Sequence, residues 1–255
     1  MCSSASHSEY LLVIIYSCQG KIAFCKSATW VELFGATRSY CDIVFKNNYL
    51  YALAQDRSVE GWDICQHVPR KILDVKPTME IDEELETEFS RDLYSIKSYL
   101  VKSEGEMLLV IRYIGNFVND DGAAVDEGYL LSSMDIHPLL CPYQTKHFSV
   151  YKFDFRKIKW EKVRSLPDQV LCLGANESMS ISVRAFSGCQ PNSIYFTDDR
   201  WFEMNLDYLY GGHYWACFNL LDRTFNHFSP SAYKLDPPPI WVIPTPDSYH
   251  DMLTM

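Results

Sequence analysis

The chain has 255 residues, with 33 acidic against 23 basic side chains and a net charge of −10. It therefore lacks the Lys/Arg clusters that a phosphate backbone rewards, which argues against nucleic acid as a partner. At 47% hydrophobic, 22% charged and 15% aromatic it is not a disordered chain, and one all-β domain can reach this length.

Residues 1–9 read as a tail. LLVIIY (11–16) is too short for a signal peptide or a membrane span and lacks a basic flank. It reads as a strand, followed by KIAFC (21–25) and ATWVEL (28–33). DIVFKNNYLYALAQDRSVEGWDI (42–64) reads as three strands. Its turns lie at 46–48 and 55–58, where Asn and Asp tolerate left-handed backbone and bond to it. TMEIDEELETEF (78–89) is the best helical candidate, and the stretch 78–92 reads as an acidic, solvated connector. A long hairpin follows at 95–115, with Gly105 in its turn.

Residues 116–146 are rich in Asp, Gly, Ser and Pro and read as an insertion loop, long enough to be mobile or functional. HFSVYKFDFRKIKWEKVRSL (147–166) is the clearest hairpin, turning near Asp154–Lys157, and its basic run RKIKW reads as one strand face. QVLCLGANESMSISV (169–183), NSIYFTDD (192–199), HYWACFNL (213–220) and RTFNHFS (223–229) supply further short strands. Five prolines in the eleven residues 236–246 exclude an interior strand there, because proline has no N–H to give to a ladder. Residues 247–255 read as a second tail.

The strands recur in units. DIVFKNNYLYALAQDRSVEGWDI and NSIYFTDD…HYWACFNLLDRTFNHF share one plan, and SVYKFDFRKIKWEKV repeats its later half. Units of three or four strands at roughly forty residues are the pattern of propeller blades. About fifteen strands then make about four blades, a small or partial ring whose open edges would invite pairing.

Several of these pieces together resemble a known family. They are VYKFDFRKIKWEKVRSL leading to LCLGANESMSIS, the strand PNSIYFTDD, and PPPIWV after a Phe-Asn-Leu strand, with DIVFKNNYLYAL…VEGWDI as an earlier blade. The chain is similar to plant F-box proteins with a KIB-type β-propeller, a kelch-like domain of unknown function. The resemblance spans residues 10–246. It implies an all-β propeller that acts as a recognition surface for a protein client. Members of that family usually begin with an F-box, which docks on the Skp1 adaptor of a cullin ubiquitin ligase. Its leucine- and proline-rich helical pattern is absent here, so ligase components are expected to reach this chain through another chain.

Asp198 and Asp199 are adjacent on a strand and would point to opposite faces, so they read as a turn cap and not as an acid–base pair. Asp42, Asp63, Asp154 and Asp199 could line one rim, but each sits where a strand starts or turns. The seven histidines, at 7, 67, 137, 147, 213, 227 and 250, form no HxH or HExxH, so no metal or cofactor is expected. No GxSxG or phosphate-binding glycine loop occurs. The nine cysteines are odd in number and form no CxxC, which suits reduced thiols in the cytoplasm or nucleus and leaves the sequon at Asn176 unused.

What remains is DYLYGGHYW (207–215). Tyr208, Tyr210, Tyr214 and Trp215 beside two glycines are the candidate protein-binding residues, against a reading as packing between blades. The expectation is a non-enzymatic interaction module, with no nucleic-acid or membrane partner. A propeller hydrolase or oxidase, or a truncated non-functional relative, stays open as an alternative.

Overall fold

The computed structural model describes residues 11–26, 29–66, 68–79, 83–132, 142–186, 188–206, 213–228 and 239–242. The tails 1–9 and 247–255 lie outside them. The chain divides into two compact units, residues 1–114 with 145–164 and residues 115–144 with 165–255.

The first unit holds three sheets. β1 (Leu11–Tyr16), β2 (Lys21–Lys26) and β3 (Thr29–Glu32) form an antiparallel sheet in the order β1-β2-β3. Leu11, Val13 and Ile15 pack against the cluster of Ile22, Phe24, Leu33 and Tyr40, so alternate residues of β1 face the core. Gly20 closes the β1–β2 turn at φ 62° and its carbonyl accepts Tyr40 N at 2.9 Å. A Cβ there would overlap the Tyr40 carbonyl, so both the backbone angle and the space require glycine.

β4 (Tyr40–Lys46), β5 (Tyr49–Ala54), β6 (Val59–Asp63) and β7 (Arg70–Val75) form a four-stranded antiparallel sheet in chain order. The β4–β5 turn runs through Asn47 and Asn48, both at positive φ (51° and 65°), as a two-residue hairpin loop demands. Both faces of this sheet are covered. Leu50, Ala52 and Trp62 belong to one core cluster, while Tyr51, Leu53 and Val59 belong to another. That is why residues 50–54 read as an unbroken apolar run.

The third sheet takes β8 (Thr78–Met79), β9 (Tyr94–Ser103), β10 (Glu106–Gly115), β11 (Gln144–Asp154) and β12 (Lys159–Val163) in the order β8-β12-β11-β10-β9. Its core is Leu100, Met107, Leu109, Ile111, Tyr151, Phe153 and Trp160. Trp160 is 1% exposed and stands edge-on to Phe153 at 4.8 Å. The acidic stretch 78–92 is more than a solvated connector: it contains β8 and helix α1 (Glu83–Glu88). Leu85 and Phe89, four residues apart on one side, are buried, and Phe89 packs on Tyr113 at 4.9 Å.

The second unit holds one sheet. β13 (Gln169–Leu173), β14 (Met179–Ser182), β15 (Ser193–Phe196), β16 (Ala216–Asn219) and β17 (Phe225–His227) lie in the order β14-β13-β15-β16-β17. Val170, Leu171, Leu173, Ile194, Phe196, Ala216 and Phe218 are at most 1% exposed and form its interior. Helix α2 (Glu127–Ser132) and the bridge Val118↔Ala124 lie within the predicted insertion 116–146, whose last residues already belong to β11. Helix α3 (Trp201–Leu206) follows NSIYFTDD.

The described residues thus form four sheets, as about four blades predict, with one correction. Not every neighbour is antiparallel: β8 pairs parallel to β12, and β13 parallel to β15. In the second case the chain leaves β14 and returns on the far side of β13, and a parallel pair needs such a crossover connection. No helix among the described residues is long and apolar enough to cross a membrane.

Candidate functional site

NSIYFTDD is held at both ends by its polar residues. Asn192 takes positive φ (60°), and its Oδ1 accepts Leu166 N at 2.5 Å and Ser165 Oγ at 3.0 Å. At the other end Asp198 does cap the turn, accepting Arg200 N at 2.8 Å through Oδ1. The same carboxylate is 1% exposed and does more than the sequence suggests. Oδ1 accepts the Tyr143 hydroxyl, and Oδ2 bonds His213 Nδ1 at 2.5 Å. Arg200 lies over the Tyr143 ring at 5.1 Å and donates to Asn116 Oδ1 at 2.7 Å. A segment 55 residues away in sequence is thereby tied to the end of β15.

A buried His–Asp pair is the base-and-orienter half of a nucleophilic site. Among the described residues the other half is not supplied. His213 Nε2 meets Asn205 Oδ1 at 3.3 Å, and the ring stacks on Trp201 at 6.5 Å. No Ser, Thr or Cys among the described residues bonds to His213. With His213 and Asp198 both about 1% exposed, the pair braces the fold and offers no open path to a substrate.

Asp42, Asp63 and Asp154 also accept backbone N–H bonds. Asp42 accepts Ile43 N at 2.8 Å and Leu100 N at 2.6 Å, joining β4 to β9. Asp63 accepts Cys65 N at 3.2 Å, and Asp154 accepts Arg156 N at 2.8 Å and Lys157 N at 3.1 Å. Of the four predicted binding residues, Tyr208 and Tyr210 lie outside the described residues. Tyr214 is buried, packing on Phe196 at 5.6 Å with its hydroxyl at 3.2 Å from His227 Nδ1. Trp215 is half-buried. The Tyr214 ring is thus buried within the second unit.

The open chemistry lies in the first unit. A cavity of about 560 Å³ sits between the β5–β6 turn and the start of β9. Arg57, Arg91 and Lys97 line it, with Tyr94, Ile96 and Ser98 alongside. Arg57 stands in the turn at φ 66°, held by Arg57 N→Ala54 O at 2.9 Å, with its Nη1 at 3.9 Å from Met79 Sδ. Among the described residues Arg57 and Arg91 form no ion pair. Asp56 accepts Ser58 N and Ser58 Oγ and lies 3.7 Å from Lys76, and Asp42 accepts Leu100 N. Cys41, at the cavity wall, is neutral, its thiol pushed up to about 12 by burial. Three of the eight described lining residues are thus cationic, on a chain whose net charge is −10. The described residues hold no group of three His, Cys, Asp or Glu side chains that could bind a metal.

The model of the KIB1-4 beta-propeller family matches residues 1–219. The chain belongs to the KIB1-4 beta-propeller family. Similar proteins of Arabidopsis thaliana include F-box protein At2g26160, 26% identical over 70% of this chain and 47% of that one. F-box protein At2g17690 is 37% identical over 35% of this chain and 21% of its own length. F-box protein At4g35733 is 26% identical over 71% of this chain and 44% of its own. This KIB1-4 propeller chain thus spans less than half the length of these relatives. A solved structure, the N-terminal domain of Nup159, aligns over 82% of this chain and 44% of that one at a TM-score of 0.36 and 14% identity.

Sequence reasoning missed the cationic cavity of this propeller. Its arginines stand 34 positions apart, one in a turn and one before a strand, and no local motif links them. The nearest signal was the positive-φ turn 55–58, where an arginine in place of Asn or Gly is unusual.

Proposed function

We propose that this propeller chain is a non-enzymatic recognition module that holds a protein client. The supporting observation is how its polar groups are disposed. Asp198 and His213 are closed off in buried internal bonds, whereas Arg57 and Arg91 face an open cavity and form no ion pair among the described residues. A site that binds without transforming its ligand needs complementary charge and shape but no nucleophile or base.

The relatives are named F-box proteins, which supports a link to an SCF-type ubiquitin ligase. In this reading the propeller contributes client recognition, and the ligase subunits reach it through an F-box, on this or another chain. The work takes place in the cytoplasm or nucleus.

Expression of the tagged chain in plant cells, gentle capture and mass spectrometry test the reading. The expected result is one stoichiometric client, with Skp1 and cullin subunits where the ligase is assembled. Recovery of chaperones and proteasome subunits alone would overturn it.

A further inference from the structure

We propose that the outer edge of β3 pairs with an extended, largely apolar segment of the protein client, which adds a fourth strand to the sheet β1-β2-β3. This rests on the recognition-module reading and names the kind of segment that is held. β3 pairs with β2 on one side and ends the sheet on the other. All four of its residues are exposed. Leu33 N donates to Ile22 O at 2.9 Å, so the bonded pairs with β2 fall at Leu33 and, by alternation, at Val31 and Thr29. Trp30 and Glu32 occupy the alternate positions and turn their N–H and C=O groups away from β2. Among the described residues no backbone partner meets those groups. Outward N–H and C=O groups at strand spacing are complementary to another extended backbone.

The side chains along this edge are apolar on both faces. The register sets Trp30 beside Cys25 and Cys25 beside Leu12, on the face away from the core. Trp30, Leu12 and Ile14 are exposed there, and Val31 is exposed on the other face. Glu32, the one charge on β3, is answered within the sheet by Lys21 Nζ at 3.3 Å and the Tyr16 hydroxyl at 2.6 Å. Open edges are normally blunted by charge. The edge strand β7 has that protection, with Arg70, Lys71 and Asp74 in its six residues. β3 does not.

Two observations favour a client segment over a second copy of this chain. An edge of four residues is too short to bury the roughly 1,200 Å² of a stable contact between two folded proteins. Two copies would also bring net charges of −10 against each other. A short extended segment meets neither limit. It lies along β3 with alternate side chains against Trp30 and Val31, and its backbone bonds supply most of the affinity.

The test is fluorescence anisotropy of the purified full chain with a labelled octapeptide of alternating valine and threonine. The control is the same peptide N-methylated at its two central residues, which removes a donor from each of its edges. The expected result is saturable binding below about 1 mM and about tenfold or more weaker binding of the methylated peptide. Glu32→Pro removes an outward N–H and leaves the ladder to β2 intact, and it should weaken binding by a similar factor. Glu32→Gln keeps that N–H and should bind like the wild type. Trp30→Lys puts a charge on the edge at an exposed position outside the core, so it folds, and it too should bind about tenfold more weakly. No saturable binding, equal affinity for the methylated peptide, or wild-type binding by both Glu32→Pro and Trp30→Lys would overturn the proposal. A dimer in sedimentation that Trp30→Lys abolishes would give the edge to a second copy and overturn the client segment. A stoichiometric client captured from plant extract equally well by Trp30→Lys would sink the edge site and leave the recognition module standing.

Discussion

Asp198 shows how one residue can satisfy a simple expectation and exceed it. Its sequence position at a strand end predicts the cap on Arg200 N, and that bond is present. The bonds to Tyr143 and His213 arise from residues far along the chain, and no local pattern announces them. Asp198→Ala leaves a buried hydroxyl, imidazole and N–H without an acceptor, and should cost about 3 kcal/mol in urea unfolding. Glu60 is a second case. It is 1% exposed inside β6 and accepts Tyr40 Oη at 2.5 Å, Trp62 Nε1 at 3.1 Å and Lys71 Nζ at 2.8 Å. Lys71 and Arg38 join Glu60 to Asp74, at 3.0 and 2.8 Å from that second carboxylate. Glu60→Ala should destabilise by a similar ~3 kcal/mol, whereas Asp74→Ala, whose side chain is 40% exposed, should cost under about 1 kcal/mol.

At the scale of elements, strands with an uninterrupted apolar run or a clear turn were legible. β5, β6, β10 and β11 follow the pattern because both faces or one face are buried. β7 was not legible: RKILDV carries Arg70, Lys71 and Asp74, and only Leu73 and Val75 turn to the core. α3 was missed because six residues are too few for a helical period to stand out. Turns make the sharpest element-level prediction. Gly20 and Gly105 both hold positive φ, at 62° and 80°. At Gly105 a Cβ meets nothing within 4 Å, so Gly105→Ala should cost only the backbone strain, about 1 kcal/mol. At Gly20 the Cβ overlaps the Tyr40 backbone, so Gly20→Ala should cost at least twice as much and shift the β1–β2 turn. Paired thermal melts decide this. The proline-rich segment 236–246 was rightly read as non-strand where it is described, yet Trp241 is not idle there. Its Nε1 donates to Leu173 O at 2.8 Å, and Asn176 brackets its backbone at 3.1 and 3.3 Å.

For the whole molecule, composition told most about class and least about ligand. Aromatic content, strand spacing and motif order pointed to a propeller of this family, but a net charge of −10 concealed a local cationic cavity, since a sum says nothing of placement. Charge also shapes the response to pH. The Lys71 bond holds the Asp74 carboxyl below its ordinary range, and the Lys157 amide does so for Asp154. A depressed folded value gives stability that is full above the unfolded carboxylate range and is lost as pH falls through it, so unfolding should begin below about pH 4. Burial pushes the Cys172 thiol up to about 12, as it does Cys41. Those thiols are lost as stabilising groups when pH rises from about 9 toward 12, so melting temperature should be flat between about pH 5 and 8 and fall on both sides. The most direct test of the central claim, that the chain is a recognition module for a protein client, is quantitative capture from plant extract with the tagged wild-type chain. The account predicts one client retained in stoichiometric amount. Recovery of chaperones and proteasome subunits alone would contradict it.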